Sequence, residues 1–374
     1  MNAASRTGTY LGPRLGVIVS GWPRVSETFA LNELLALRRG GLLGAVFATK
    51  PGDAGLRQPE SETLDDLVEV LPNTSIAQQG AYVAERMIEL DLQAIHGYFA
   101  HQPAEVASIA AQLSGRPYGF SCHALDVRKV PAATLAGRGA GAAVVVACNR
   151  DVAATLDQAG VRPCLLAHGV DLRRFQVPAS TGASPGRQTG TPMEVLAVGR
   201  LVAKKGFAHL VEAFTRCRRD IRLSIVGEGP ERDRLERLIT DLALADRVRL
   251  LGGRTHHQLP GLYRQADVVA VPSVVDANGD RDGLPNVVLE AMACARPVLA
   301  SDVAAIATAV ETGHNGVLVP PGDVGALAAA LDKLAASPPE RARLGANARH
   351  AVEQRFDLDH CGQSLCRLLE KSYG

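Results

Sequence analysis

A glycine turn in the second half of the chain lies between two carboxylates, Asp282 and Glu290. Gly283 allows a sharp backbone turn there, and Pro285 suits the first turn of a helix. The amides near Asn286 would then point toward an anion such as a diphosphate, because the first N–H groups of a helix have no partner inside it. Glu290 follows one helical turn later, where a carboxylate can accept two hydrogen bonds from a ribose diol. This spacing predicts a helix start that binds a nucleotide sugar, with Asp282 near the group attached to the phosphates.

A basic loop precedes this turn in the chain. It begins at Gly199, where a predicted strand ends, and contains Arg200 and Lys205. A guanidinium fork and an ammonium at this spacing can close on one diphosphate and neutralise a leaving group without a metal ion. The alternative is a solvated basic turn of the kind that any α/β protein can carry.

The first half of the chain offers a histidine and a polar loop. His123 directly follows a predicted strand. A lone histidine is usually structural, but the end of a strand is a common place for a functional one, so both roles stay open. Residues 21–29 follow the first strand and open a helix, where Ser26 and Thr28 either cap the helix or contact a phosphate.

Two other patterns do not support a site. Residues 276–280 begin like a calcium loop, but Arg281 stands where that loop needs glycine and Val287 where it needs its final glutamate. Residues 224–230 contain a partial G-x-G without the third glycine, which favours a tight strand-to-helix connection over a dinucleotide site.

Composition indicates a globular protein of two domains. The chain has 374 residues, of which 47% are hydrophobic and 21% charged, and its net charge is +1. That balance gives no reason to expect a nucleic acid partner. The seven cysteines form no C-x-x-C pair and are typical of reduced cysteines in a cytosolic protein. No apolar run indicates a signal peptide or a membrane span.

Short apolar runs alternate with helical periodicity along the chain, which predicts two doubly wound parallel sheets facing a cleft. The expected domains are residues 1–177 on the acceptor side and 193–356 on the donor side. Residues 178–192 form a linker rich in turn-forming residues, and a final helix at 357–374 returns toward the first domain. The predicted strands are 15–20, 43–48, 95–100, 118–122, 143–147 and 163–167, then 194–199, 222–226, 248–251, 268–271, 298–300 and 316–319.

Several motifs follow one another through nearly the whole chain. They are HGVDLRRF at 168–175, GRLV and KG within 199–206, IVGEGP at 225–230, GLPN and EAM within 283–292, and GVLVP with GD within 316–323. Together they resemble the retaining glycosyltransferases of family four, which share the two-domain GT-B fold. PRVSETF at 23–29 with LNE at 31–33 is similar to the exopolysaccharide branch, whose members include colanic acid and related capsule transferases.

The resemblance implies a role for each matching residue. Arg200 and Lys205 would hold the donor diphosphate, Glu290 the ribose, and Asp282 the sugar hydroxyls, with His123 beside the transferred sugar. Catalysis would be positioning plus stabilisation of the departing nucleoside diphosphate, with attack from the leaving-group face so that the anomeric configuration is retained. No cofactor or obligatory metal is implied. The other donor-binding residues implied are Gly199, Arg254, Gly283, Leu284, Pro285 and Asn286, and the acceptor and phosphate loop comprises Gly21, Arg24, Ser26, Glu27 and Thr28.

Three residues depart from the family pattern. Asp282 replaces the first of two paired glutamates, Thr308 stands where many relatives carry glutamate, and Cys294 replaces a usual glycine. These departures leave a second hypothesis, a nucleotide-sugar-binding relative without transferase activity. Retention of both halves of the implied site argues against it.

Two further alternatives have less support. An epimerase of the same fold needs acid and base groups converging on the sugar, and the sequence offers no clear second base beside His123 and Asp282. A plain NAD dehydrogenase would need a complete G-x-G-x-x-G after an opening strand.

The residues do not identify the sugar, the base, the acceptor or the oligomeric state. A UDP-sugar is expected in preference to a GDP-sugar, with base contacts from the backbone near 252–255. The resemblance implies a glycan or lipid-linked oligosaccharide acceptor at the cytoplasmic membrane face, and a soluble small-molecule acceptor is the runner-up. A cytoplasmic protein with peripheral membrane contact is therefore expected, to which Arg128, Lys129 and Arg138 could contribute.

Overall fold

The computed structural model describes residues 12–24, 27–53, 57–124, 126–177 and 191–374. The chain divides into two compact units. The first comprises Met1–Cys148, Val152–Leu166 and Asp359–Gly374, and the second comprises Asn149–Asp151 and Ala167–Leu358. All but two residues of the predicted linker at 178–192 lie outside the described ranges, and the predicted domain boundaries stay a prediction.

The first unit is built on a parallel sheet of seven strands in the order β3-β2-β1-β4-β5-β6-β7. Its strands are β1 Leu15–Val19, β2 Leu43–Ala48, β3 Val68–Val70, β4 Ala94–Tyr98, β5 Tyr118–Cys122, β6 Val144–Ala147 and β7 Cys164–Leu165. Its helices are α1 Thr28–Arg39, α2 Ile76–Glu89, α3 Gln102–Ser114, α4 Asp126–Lys129, α5 Ala132–Gly141 and α6 Arg150–Gln158, with a 3₁₀ helix at Pro59–Leu67.

Alternate residues of the central strands pack on opposite faces of this sheet. Ile18 and Phe47 contribute to a core with α2 and α3. Val17 and Val19 contribute to a second core, with α1 and the C-terminal helix α13, Leu358–Tyr373. Both faces are therefore covered, which explains why the strands appear in the sequence as continuous apolar runs.

The C-terminal helix α13 belongs to the first unit for most of its length. Near its end, the Tyr373 hydroxyl lies 2.8 Å from Nδ1 of His96 in β4, and the other ring nitrogen lies 2.8 Å from the Ser121 hydroxyl in β5. Burial lowers the pKa of His96 to about 3. The imidazole is therefore neutral and serves as a hydrogen-bonded link between the helix and the sheet.

The second unit is a parallel sheet of six strands in the order β10-β9-β8-β11-β12-β13. Its strands are β8 Met193–Val198, β9 Ile221–Val226, β10 Val248–Leu250, β11 Val268–Val271, β12 Val298–Ser301 and β13 Gly316–Val319. Its helices are α7 Phe207–Phe214, α8 Arg232–Asp241, α9 Leu259–Gln265, α10 Asn286–Ala293, α11 Val324–Ala336 and α12 Pro338–Arg355, with 3₁₀ turns at Ala203–Lys205 and Ile306–Thr308.

The predicted fold class, two doubly wound parallel sheets with helices, is confirmed. One strand of the first sheet, β3, was not predicted. It has only three residues, VEV, which are half-exposed and form no apolar run. Strand β7 is shorter than predicted for a related reason: it is an exposed edge strand of two residues.

Strand order reverses at one point in each sheet, between β1 and β4 in the first and between β8 and β11 in the second. Loops that leave neighbouring strands in opposite directions open a crevice at such a point, and ligands of doubly wound sheets bind there. The loops after β8 and β11 contain Arg200, Lys205 and Asp282. Within the described ranges, no helix has the length and apolar character needed to cross a membrane.

Candidate functional site

The loops after β8 and β11 are joined through their backbones. The amide of Val274 donates to the carbonyl of Lys204 over 2.8 Å. Gly206 adopts a φ of +65°, and a Cβ there would lie 1.9 Å from the carbonyl oxygen of Pro272. Only glycine fits this approach, which brings the lysines of one loop against the aspartates of the other.

Lys205 and Asp282 form the central contact between the two loops. The Lys205 ammonium lies 2.7 Å from Oδ2 of Asp282, and the Ser273 hydroxyl donates to the same oxygen over 3.0 Å. Lys204 lies 3.7 Å from Oδ1 of Asp282 and 3.0 Å from Oδ2 of Asp280. Burial acts to raise the pKa of Asp282, but the two lysines and Ser273 outweigh it and hold that pKa below its ordinary value. Asp282 is therefore an ionised carboxylate bound mainly by cations.

Arg200, the other predicted phosphate ligand, has a different environment. Its side chain is exposed, and among the residues that the structure describes it forms no ion pair. The preceding Gly199 lies against the Lys205 stem, since a Cβ there would be 3.3 Å from Cε of Lys205. The loop thus presents one exposed guanidinium and one half-buried ammonium already bound to a carboxylate.

Glu290 lies on α10, the helix that the turn at Gly283 and Leu284 was predicted to start. Pro285 occupies the N-cap position, so the helix begins at Asn286, one residue later than a proline in the first turn would imply. Glu290 is 5% exposed. The Tyr263 hydroxyl donates to Oε2 of Glu290 over 2.7 Å, and Nε2 of His256 lies 3.1 Å from Oε1.

A tyrosine hydroxyl and an imidazole, rather than lysines, therefore bind the Glu290 carboxylate. Burial, and then the neighbouring carboxylate, raise the pKa of Tyr263 well above its ordinary value, so the hydroxyl keeps its proton and remains a donor. Each carboxylate oxygen has two acceptor positions, and the protein uses one on each. The arrangement leaves the capacity to accept the two hydroxyls of a ribose.

The contacts of His256 and Tyr263 with Glu290 were not predicted from the sequence, and neither were the contacts of Phe175 and Arg174 with these two side chains. Phe175, from the HGVDLRRF motif, is fully buried, with its ring centroid 5.2 Å from that of His256 and 5.7 Å from that of Tyr263. Arg174, from the same motif, lies 2.8 Å from Nδ1 of His256. The motif was a signal of the fold family, but nothing in its spacing indicated contact with α10.

Arg254, the remaining predicted donor ligand, is exposed and donates to the carbonyl of its neighbour Gly253 over 2.8 Å. The amide of Gly253 donates to Oε1 of Glu228, 3.1 Å away, in the loop after β9. The backbone at 252–255, where base contacts are expected, therefore lies at the same end of the sheet as the other loops of the second unit. Its contact with a base stays a prediction.

In the first unit, His123 follows β5 and is buried among aromatic rings. The ring centroids of Phe29, Phe99 and Tyr98 lie 4.7, 5.0 and 5.7 Å from that of the imidazole. Its backbone amide donates to Oδ1 of Asp126 over 2.7 Å. Aromatic rings around His123 are compatible both with packing against the apolar face of a sugar and with a purely structural histidine. A role for His123 beside the transferred sugar stays a prediction.

Asp126 is a buried carboxylate bound by backbone amides. The amides of Ala100 and His123 each donate to it over 2.7 Å. Burial raises the pKa of Asp126 to about 7, against the opposing effect of these hydrogen bonds. The carboxylate ties the loops after β4 and β5 together.

In the predicted acceptor loop, Val25 and Ser26 lie outside the described residues. Glu27 is the N-cap residue of α1 and Thr28 is the first residue of the helix, so of the two alternative roles for Thr28 its position excludes the N-cap, and the phosphate contact stays a prediction. Arg24 pairs with Glu27 at 3.4 Å and with Asp53 at 3.3 Å. Burial raises the pKa of Glu27 despite the opposing effect of Arg24.

Arg138, one of three cations suggested for membrane contact, is not available for it. Its guanidinium pairs with Glu105 at 2.6 Å and donates to the carbonyl of Ala100, and its side chain is 14% exposed. Arg138 therefore holds α5 against α3 and the end of β4. This pairing was not predicted, because Glu105 lies on another helix.

Two doubly wound sheets, with a basic loop and a buried carboxylate at the switch point of the second, define the GT-B class of fold. Residues 185–351 match the family model described as glycosyl transferases group 1. A GDP-mannose-dependent alpha-(1-6)-phosphatidylinositol monomannoside mannosyltransferase of Mycolicibacterium smegmatis is 31% identical over 315 residues, which cover 80% of this chain and 81% of the relative. This chain belongs to the group 1 glycosyltransferase family.

Relatives of the exopolysaccharide branch, which residues 23–33 resemble, also match the chain over part of their length. The amylovoran biosynthesis glycosyltransferase AmsK of Erwinia amylovora is 32% identical over 183 residues, 48% of this chain and 45% of the relative. Several curated relatives match in this way, with the aligned region spanning about half of the relative's length. The crystal structure of HepE from Anabaena in complex with UDP superposes with a TM-score of 0.81 at 25% identity, covering 96% of this chain and all of that one.

Proposed function

We propose that this protein transfers a hexose from a nucleoside-diphosphate sugar to a hydroxyl of a glycan or lipid-linked oligosaccharide in polysaccharide biosynthesis. One observation carries the proposal: at one switch point, a loop with an exposed Arg200 and a half-buried Lys205 adjoins the turn that leads to the Glu290 carboxylate. Cations suit a diphosphate, and a carboxylate with free acceptor positions suits a ribose. The similarity to AmsK, an amylovoran biosynthesis glycosyltransferase, supports a glycan acceptor.

The chemistry we propose is retaining and independent of metal ions. Lys205 and Arg200 stabilise the departing nucleoside diphosphate, Asp282 contacts sugar hydroxyls, and the acceptor attacks from the leaving-group face. The aspartates of the site support metal independence: Asp280 and Asp282 already face lysine ammoniums at 3.0 and 2.7 Å. A divalent cation would have to displace these ammoniums to bind there.

The protein is proposed to act in the cytoplasm at the inner face of the membrane.

UDP is the nucleotide that we favour for the donor. The crystal structure of HepE in complex with UDP, matched over nearly the whole chain, supports this choice. The mannosyltransferase relative, whose name specifies GDP-mannose, makes GDP the competing base. A direct binding comparison separates the two.

The test is isothermal calorimetry with UDP and GDP in EDTA, on the wild type and on Arg200→Ala and Glu290→Ala. Arg343→Ala is the matched control, because Arg343 is an exposed arginine paired with Glu340 on α12. The proposal expects micromolar binding of one nucleotide to the wild type and the control, and at least about tenfold weaker binding to the other two variants. Folded wild type that binds neither nucleotide would overturn the proposal.

Transfer itself is tested with the sugar nucleotide whose base binds. The anomeric configuration of the product, read by proton NMR, must match that of the donor if the reaction is retaining. Conversion of the donor to an epimer without acceptor would instead support the epimerase alternative.

A further inference from the structure

The contact between Arg174 and His256 fixes the position of a proton. Nη1 of Arg174 lies 2.8 Å from Nδ1 of His256. A guanidinium only donates hydrogen bonds, so Nδ1 must accept and carries no hydrogen. In the neutral ring the hydrogen is then on Nε2.

This tautomer determines what His256 does to Glu290. Nε2 lies 3.1 Å from Oε1 of Glu290, so the imidazole donates to that oxygen. Tyr263 donates to the other oxygen over 2.7 Å. Two donors on two oxygens fix the rotation of the carboxylate, and the acceptor positions that remain point in a defined direction.

The packing around these groups holds the arrangement in place. The buried Phe175 ring contacts both the His256 and Tyr263 rings. Arg349 of α12 donates to the carbonyl of Phe175 over 2.9 Å and to that of Ala293, at the end of α10, over 2.6 Å. The segment that contains Arg174 and Phe175 is therefore tied to the helix that carries Glu290.

We infer that Arg174 and His256 are positioning residues that hold the Glu290 carboxylate toward the 2′ and 3′ hydroxyls of a ribose and so make the site select ribonucleotides over 2′-deoxyribonucleotides. The inference rests on the proposed function, because it takes Glu290 to be the ribose ligand. It adds the residues that set the selectivity and the substrate feature on which they act.

The experiment compares the Kd of UDP with that of 2′-deoxy-UDP, and the Kd of GDP with that of 2′-deoxy-GDP, by calorimetry. The wild type should bind the ribonucleotide about tenfold more tightly, the value of one hydrogen bond to a charged group. His256→Leu removes both the donor and the acceptor, and the ratio should fall to about twofold or less. His256→Gln keeps one donor and one acceptor at similar reach, and should restore most of the ratio.

Two further variants keep the test decisive. Arg174→Met leaves the imidazole in place but frees its tautomer, so it should lower the ratio by about two- to threefold even if His256→Leu does not fold. His350→Ala is the matched control, because His350 is an exposed histidine of α12 that contacts Gln354. It should leave both constants unchanged.

The outcomes separate this inference from the proposed function. If the wild type binds no nucleotide, both are overturned. If the wild type binds a nucleotide but does not discriminate, or if His256→Leu and Arg174→Met weaken ribo and deoxy forms equally, only the positioning inference is overturned.

Discussion

Two carboxylates eight residues apart, Asp282 and Glu290, are stabilised in opposite ways. Asp282 lies in a cationic region, bound by the Lys205 ammonium at 2.7 Å and approached by Lys204 at 3.7 Å. Glu290 lies in a neutral region, bound by a tyrosine hydroxyl at 2.7 Å and an imidazole at 3.1 Å. The first carboxylate is paired with ammonium groups, whereas the second keeps spare acceptor positions on both oxygens.

This difference predicts how each carboxylate responds when the proposed nucleotide-sugar donor binds. Lys205 is already bound to a carboxylate, so a diphosphate that takes its ammonium must compete with Asp282. Among the described residues no lysine or arginine contacts Glu290, so its carboxylate can accept from a neutral ribose as it stands. We therefore expect the cationic region to change partners when the proposed donor binds, and the region around Glu290 to accept the ribose without rearrangement.

The largest expected effect is at Lys205. Lys205→Met removes the ammonium from both the diphosphate and Asp282, and should lower the transfer rate about 10²- to 10³-fold, the usual effect of losing one group that stabilises a leaving anion. Lys204→Met is the matched control, since Lys204 pairs more closely with Asp280 than with Asp282. It should cost less than about tenfold. Equal losses in a steady-state transfer assay would remove the distinction between the two lysines.

Asp282→Asn separates the two roles given to that residue. The change releases Lys205, so free UDP should bind as tightly as before or up to about tenfold more tightly. Transfer should still fall about 10- to 100-fold, because a charged acceptor for the sugar hydroxyls is lost. Calorimetry and the transfer assay on the same preparation measure both. Weaker UDP binding would show that Asp282 positions Lys205 rather than competing with the phosphate.

Tyr263→Phe tests the neutral region. It deletes one donor to Glu290 while keeping the ring against Phe175, and should weaken nucleotide binding about three- to tenfold. Tyr118→Phe is the control, because the Tyr118 hydroxyl donates to the carbonyl of Arg138 in the first unit. An unchanged Kd in Tyr263→Phe would mean that His256 alone suffices to orient the carboxylate.

The sequence predicted the sheets and the location of the site better than the contacts inside it. Buried parallel strands leave continuous apolar runs, and the glycine turn before Glu290 has a local backbone cause, so both are visible in the chain. His256, Tyr263 and Phe175 were missed because they converge on Glu290 from segments between 27 and 115 residues away. The pairing of Lys205 with Asp282 depends in the same way on the approach of two loops.

A third buried carboxyl group, that of Asp126, accepts hydrogen bonds from backbone amides instead of from lysines or other side chains. Backbone amides, among them those of Ala100 and His123, donate to its carboxyl group, and burial raises its pKa to about 7, whereas the pKa of Asp282 is lowered. The two should therefore affect stability with opposite dependence on pH. The Asp282 contribution is present above about pH 4 and is lost as the pH falls through its lowered pKa. The Asp126 contribution is complete below about pH 4 and is lost as the pH rises to about 7.

The smallest expected effect is this dependence at Asp126, which alters stability rather than binding. Asp126→Asn cannot ionise, so its deficit in unfolding free energy relative to the wild type should shrink between pH 5 and pH 8, by at most about 3 kcal/mol and by a few degrees in Tm. Asp157→Asn, at an exposed aspartate of α6, should show no such trend. Thermal denaturation of the three proteins across that range measures it. A deficit that grows with pH would mean that the carboxylate is ionised and stabilising, and that backbone amides stabilise the Asp126 carboxylate as the lysines stabilise that of Asp282.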